Sequence, residues 1–69
     1  MLKKGILRSF DSANYKASVE LAGSRRQFLT GVPVAMNIPA ADMVAGRYLA
    51  VAFLDESNPS DAVVVAVYT

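Results

Sequence analysis

The sequence predicts a mainly β fold, a small five-stranded barrel carrying one short helical turn. Three observations lead there. Residues 15–21 alternate apolar and polar at period two; two late runs, 48–54 and 62–68, are almost wholly apolar and rich in Val, Ala and Tyr; and clusters of turn-forming residues separate the extended stretches. At 69 residues and 7.4 kDa the chain is expected to be one domain, 1–69, whose core alone sustains only a few kcal/mol of net stability, about 3–5.

The elements follow in order. Gly5 to Phe10 reads as a first strand, and Asp11-Ser12-Ala13-Asn14 as a tight turn, because Asp and Asn bond nearby backbone groups and Asn tolerates positive φ. In the returning strand Tyr15, Ala17, Val19 and Leu21 share one face, with Lys16, Ser18 and Glu20 opposite and expected in water. Ala22-Gly23-Ser24 turns the chain into a third strand, Arg25 to Leu29. Pro33, between Val32 and Val34, lacks a backbone donor and marks an edge strand or a bulge. Within 37–46, Pro39 near the start, Gly46 at the end and no β-branched residue from 39 to 43 predict a single helical turn. Ile38, Met43 and Val44 are expected to plug one end of the sheet, and Met36 and Met43 to serve packing or an interface. The runs 48–54 and 62–68, joined by the polar loop Asp55–Asp61, predict a closing hairpin.

That order, two strands in a hairpin, a third, a helical turn and two more strands, is the order of an OB-like barrel. An SH3-like barrel is the alternative, with its helical turn placed later.

Composition excludes most enzyme chemistry. With no Cys and no His there is no disulfide, thiolate nucleophile, imidazole base or zinc site of Cys or His ligands. The serines lack a histidine partner, and no Gly-x-Ser-x-Gly or phosphate-binding glycine loop occurs. The expectation is therefore no enzyme, no catalytic residue, no cofactor and no metal. The acidic loop, with carboxylates at 55, 56 and 61, lacks the glycine and glutamate of a calcium loop and reads as a solvated turn.

Net charge is +1, but unevenly spread. Residues 1–26 hold six cations against Asp11 and Glu20, a net of +4; residues 27–69 hold Arg47 against Asp42, Asp55, Glu56 and Asp61, a net of −3. A spatial dipole of that kind would favour head-to-tail self-assembly. A dedicated nucleic-acid binder would be more basic. No export signal is read at the start, and no apolar run reaches the ~20 residues of a membrane span, so a cytoplasmic protein with no membrane partner is expected.

Partners follow from the late strands. Leu49, Val51 and Phe53 share one face of 48–54, and Tyr48, Ala50, Ala52 and Leu54 share the other, so neither face is polar. A small closed sheet has one interior, and the outer face then calls for a second copy. The expected homo-oligomer interface is Tyr48, Ala50, Val51, Ala52, Phe53, Val63, Val64, Val65, Val67 and Tyr68. A candidate ligand face is Arg25, Arg26 and Phe28, cations beside an aromatic ring as in single-strand-binding barrels, with Tyr15 and Phe10 near in sequence.

The opening Gly5-Ile6-Leu7-Arg8-Ser9-Phe10-Asp11 with Tyr15 to Leu21, and the closing Gly46 to Phe53 with Asp61 to Val67, resemble the OB-type barrel of phage baseplate-assembly and tail-spike proteins. The chain is also similar to short uncharacterised small-barrel proteins with an Arg-Ser-Phe-Asp opening. It departs from the phage pattern at Ala66, where that family has a glycine late in the last strand. The resemblance implies a structural, non-enzymatic role in an assembly. It brings no binding residue with it.

Overall fold

A computed structural model describes residues 1–23, 27–55, 57, 58 and 60–69. Its elements are β1 (Leu2–Asp11), β2 (Lys16–Leu21), β3 (Gln27–Pro33), a 3-10 turn (Ala40–Asp42), β4 (Tyr48–Phe53) and β5 (Ala62–Tyr68). They form one sheet in the order β3-β2-β1-β4-β5, every neighbouring pair antiparallel. The mainly β class, the two hairpins and the single helical turn are as the sequence predicts.

β1 is the axis of the sheet. Its first half pairs with β4 from Leu2 to Ile6 and its second half with β2 from Gly5 to Asp11, so the two ladders overlap only at Gly5 and Ile6. The sheet coils most tightly at that overlap. Gly5 faces inward there, and a Cβ on it would lie 2.6 Å from Cγ1 of the fully buried Val19 and 3.4 Å from the Glu20 carbonyl.

Three register shifts bend the strands further. Arg8 is an extra residue in β1 between Leu7 and Ser9; Thr30 and Gly31 of β3 together oppose Ser18; Val65 is extra in β5. An extra residue reverses which neighbours point inward. Past Arg8 the inward residue is Phe10 rather than Ser9, and past Val65 it is Val67 rather than Ala66. Both Phe10 and Val67 pack on the core. Pro33 lies on an edge strand beside a bulge, and Gly31, at φ 65°, supplies the left-handed backbone the bulge needs.

The core is built from the inward residues of every strand, with Leu7, Val19, Leu49, Val51 and Val64 fully enclosed. Ile38 and Met43 from the 3-10 segment cover one end of it, and the Tyr15 hydroxyl donates to the Ile38 carbonyl. Val44 and Met36 do not take part. Both are exposed, since the turn ends at Asp42 and directs Val44 away from the sheet, while Met36 precedes it on the loop. The positive φ of the first hairpin falls on Tyr15 (54°) rather than on Asn14, the ring being held by an edge-on contact with Phe10 at 5.1 Å.

The two edge strands touch at one place. Val34 and Val64 form a parallel bridge, with the Ala35 N–H donating to the Val64 carbonyl at 2.9 Å. Beyond that bridge β3 and β5 diverge, and the sheet is curled without being closed by a continuous ladder. Even so, its accessible surface of 4379 Å² is close to the roughly 4,200 Å² expected of a compact monomer this size.

Gly5 yields a direct test. Alanine normally gains stability over glycine in a strand, but here the clash with Val19 outweighs that gain, and Gly5→Ala is expected to lose about 1–3 kcal/mol in urea unfolding. Combining it with Val19→Ala should cost clearly less than the two single losses added together. A Gly5→Ala protein as stable as the parent would remove the tight overlap from the account.

Candidate functional site

The register places three rows of side chains on the outer face of β1, β4 and β5. They are Leu2–Ala52–Val63, Lys4–Ala50–Ala66 and Ile6–Tyr48–Tyr68. The last row continues across β2 and β3 through Glu20 to Phe28, so it spans all five strands. In it the Tyr48 and Tyr68 rings lie 5.6 Å apart, and Lys4 Nζ stands 4.1 Å from the centre of the Tyr48 ring. Leu2 is 67%, Val65 40%, Tyr68 45% and Tyr48 38% exposed. Between these larger residues lies a flat strip of alanines, and Lys4 is the one charge in the three rows.

This outer face divides the residues expected at an interface. Tyr48, Ala50, Ala52, Val63, Val65 and Tyr68 lie on it. Val51, Phe53 and Val64 are buried and Val67 packs against the core, so these four are occupied by the chain's own interior. Part of the two-faced apolarity of 62–68 is thus the bulge at Val65 changing which residues face in. Leu2 and Lys4, which complete the face, were not foreseen because β1 begins at Leu2 rather than at Gly5. The only signal for them was a strand-compatible run before Gly5.

Of the candidate ligand face, Phe28 is on β3 and 61% exposed. Arg25 and Arg26 lie outside the described residues. Phe10 and Tyr15 face the core and offer no stacking surface. A groove of about 440 Å³ opens where β3 and β5 diverge, lined by Phe28, Leu29, Thr30, Gly31, Val32, Ser60 and Ala62. A second, more polar groove of about 340 Å³ lies at the first hairpin, lined by Ser9, Asp11, Asn14, Lys16, Ala17, Ser18 and Gly31.

Glu20 departs from the expected solvated polar face of β2. It is 8% exposed, set between Ile6 and Phe28 in register and covered by Arg8, whose Nε and Nη2 donate to its Oε1 at 3.0 and 2.7 Å. The bulge at Arg8 is what turns the guanidinium onto it.

The carboxylates of the turns are committed to the turns. Asp11 accepts from the Ala13 and Asn14 N–H groups and from Asn14 Nδ2, which holds its carboxyl below the ordinary 3.8, the Asn14 side chain contributing most. Asp55 accepts from the Ser57 hydroxyl and N–H at 2.8 and 3.0 Å, and is lowered by them likewise, the hydroxyl first. Among the described residues no group of three metal-ligating side chains occurs.

Among the described residues, the basic start of the chain and the acidic loop meet at one end of the sheet. The Met1 ammonium donates to the Phe53 carbonyl at 3.2 Å and the Phe53 N–H to the Met1 carbonyl at 2.7 Å. Lys3 and Lys4 therefore sit at the same end of the sheet as the loop of Asp55 and Asp61. Among the described residues, no helix is long and apolar enough to cross a membrane.

Both aspartates have depressed folded pKa values, so each favours the folded state above its unfolded value near 3.8 and loses that contribution as pH falls through its folded value. Carboxyl-carbon titration by NMR should place both midpoints below 3.8, and Asp11→Ala should shrink the loss of stability on acidification below about pH 4. Midpoints at or above the ordinary value would contradict the turn geometry. No family model, no curated protein and no solved structure matches the chain.

Proposed function

We propose that the protein is a non-enzymatic structural or assembly component, an OB-like small barrel that self-associates through the outer face of β1, β4 and β5. The observation that carries this reading is the block of exposed Leu2, Tyr48 and Tyr68 and half-buried Ala50, Ala52 and Val63 around a single cation, Lys4. Removing this surface from water, at roughly 25 cal/mol per Å², would stabilise a domain whose own core is small. The OB-like assignment is supported by β1 pairing with both β2 and β4, and by the parallel contact of β3 with β5. Placing the assembly in a phage-tail-like particle, and so in a virion rather than only in the cytoplasm, rests on the resemblance of the two hairpins.

A second reading, a small binding module for single-stranded nucleic acid or an oligosaccharide, is favoured by the exposed ring of Phe28 at the mouth of the β3–β5 groove. The two readings rest on different residues.

Sedimentation equilibrium at concentrations on the order of 100 μM should give a mass that is a multiple of 7.4 kDa and falls on dilution. Ala50→Lys and Tyr68→Lys, both outward, should return the mass to 7.4 kDa with an unchanged circular-dichroism spectrum. Val51→Lys, which puts an ammonium into the core, should instead unfold the chain. A parent protein that stays at 7.4 kDa at that concentration ends the assembly reading. For the second reading, a labelled oligonucleotide titrated at low salt should bind and weaken steeply as salt is added, and Phe28→Ala should weaken it. Absence of binding at low salt excludes nucleic acid.

A further inference from the structure

We propose that the groove over the first hairpin is a binding site for a single sugar-acid unit, its carboxylate on Lys16 and its hydroxyls on Ser9, Ser18 and Asp11. The site stands on residues other than Phe28 and off the assembly face, so it can fail or hold independently of either reading above.

Four features converge on this groove. Ser9 and Ser18 are directly opposite each other in the β1–β2 register, as are Asp11 and Lys16, and all four line the groove. The Ser9 and Ser18 hydroxyls and the Lys16 ammonium make no hydrogen bond or ion pair with any described residue. The Asp11 carboxylate, by contrast, is fixed by three donors from Ala13 and Asn14, leaving a rigid acceptor beside three unengaged donors. Two of the three register shifts, at Arg8 and at Thr30–Gly31, occur at the level of Ser18, on the strands either side of β2. Bulges gather at sites where side chains are re-aimed. Gly31, whose backbone excludes a side chain there, keeps the wall open, with nothing within 4 Å of where a Cβ would stand.

The lining selects the ligand class. No aromatic ring borders the groove, so a nucleobase has no surface to stack on, and the one apolar residue in it, Ala17, is almost wholly enclosed. A phosphate dianion needs several donors and would face the ionised Asp11 with one ammonium to offset it. A sugar acid carries a single charge for Lys16, a hydroxyl beside it that can donate to Asp11, and further hydroxyls that accept from the serines at the other level of the groove. A ligand of about a dozen heavy atoms at ordinary ligand efficiency gives a dissociation constant on the order of 1 mM.

The test is a titration of the ¹⁵N-labelled full chain with glucuronate, glucose and inorganic phosphate, followed through the amide spectrum. Glucuronate should move the Ser9, Lys16, Ser18 and Gly31 signals saturably, with glucose weaker and phosphate weaker still at those four. Lys16→Gln, at an exposed position, should leave the spectrum folded and weaken glucuronate about fivefold, the worth of one exposed charge contact, without changing glucose. Phosphate moving the same signals as strongly as glucuronate would reduce the groove to a lone lysine. Shifts that never saturate, or glucuronate binding unaffected by Lys16→Gln, would also overturn the assignment.

Discussion

β1 has to satisfy two partners with one backbone, and it does so by handing over from β4 to β2 across Gly5 and Ile6. At that overlap the strands pack so closely that the inner side leaves no room for a side chain. Gly5 meets that condition because it has no side chain to collide with Val19. The tight bend brings β2 and β4 around the same interior, so that Leu7, Val19, Leu49 and Val51 are all wholly enclosed. A 69-residue chain cannot build a thick core, and coiling one sheet around a few aliphatic side chains is a geometry that leaves few of them exposed.

The same bend separates the two flanks of the molecule. On one side of β1 the outward residues of β4 and β5 are tyrosine, alanine and valine; on the other, those of β2 and the hairpin are Lys16, Ser18 and Glu20. Arg8 stands at the boundary, bulged out of register to cover Glu20. One small sheet thus carries an apolar flank and a polar flank side by side.

How much of this could be read from the residues depends on whether a strand keeps its parity. β2 does, and its buried face of Ala17, Val19 and Leu21 follows from alternation alone. So do the hairpin ends, where Asp11 and the loop of Asp55 supply their own turn bonds. β1 and β5 do not keep parity. Ser9 and Phe10, or Ala66 and Val67, give no hint of an extra residue until the partner strand is known, because a bulge is a relation between two strands rather than a property of one. The candidate interface was therefore half legible. The outward members on β4 and β5 other than Ala66 are legible, those on β1 are not, and Val51, Phe53, Val64 and Val67 join them because a run apolar at every position hides which residues face in. The burial of Glu20 was likewise invisible, since it depends on Arg8, Ile6 and Phe28 arriving from two other strands.

The size of the apolar flank sets what kind of assembly it can hold. Three strands spaced about 4.8 Å apart and some seven residues long give a projected footprint of roughly 300 Å². Side-chain relief enlarges that, but not to the ~800 Å² that each partner contributes to a standard stable interface. A pair of copies held by this face alone would be in fast exchange. The edges of the sheet offer the rest: β3 is guarded by Pro33 and its bulge, whereas β5 carries no charge, proline or glycine from Ala62 to Tyr68. Its bridge to Val34 covers only one point. In the proposed assembly, a copy meeting one neighbour through its face and another along the end of β5 would make two weak contacts instead of one, and linked weak contacts strengthen each other by raising effective concentration.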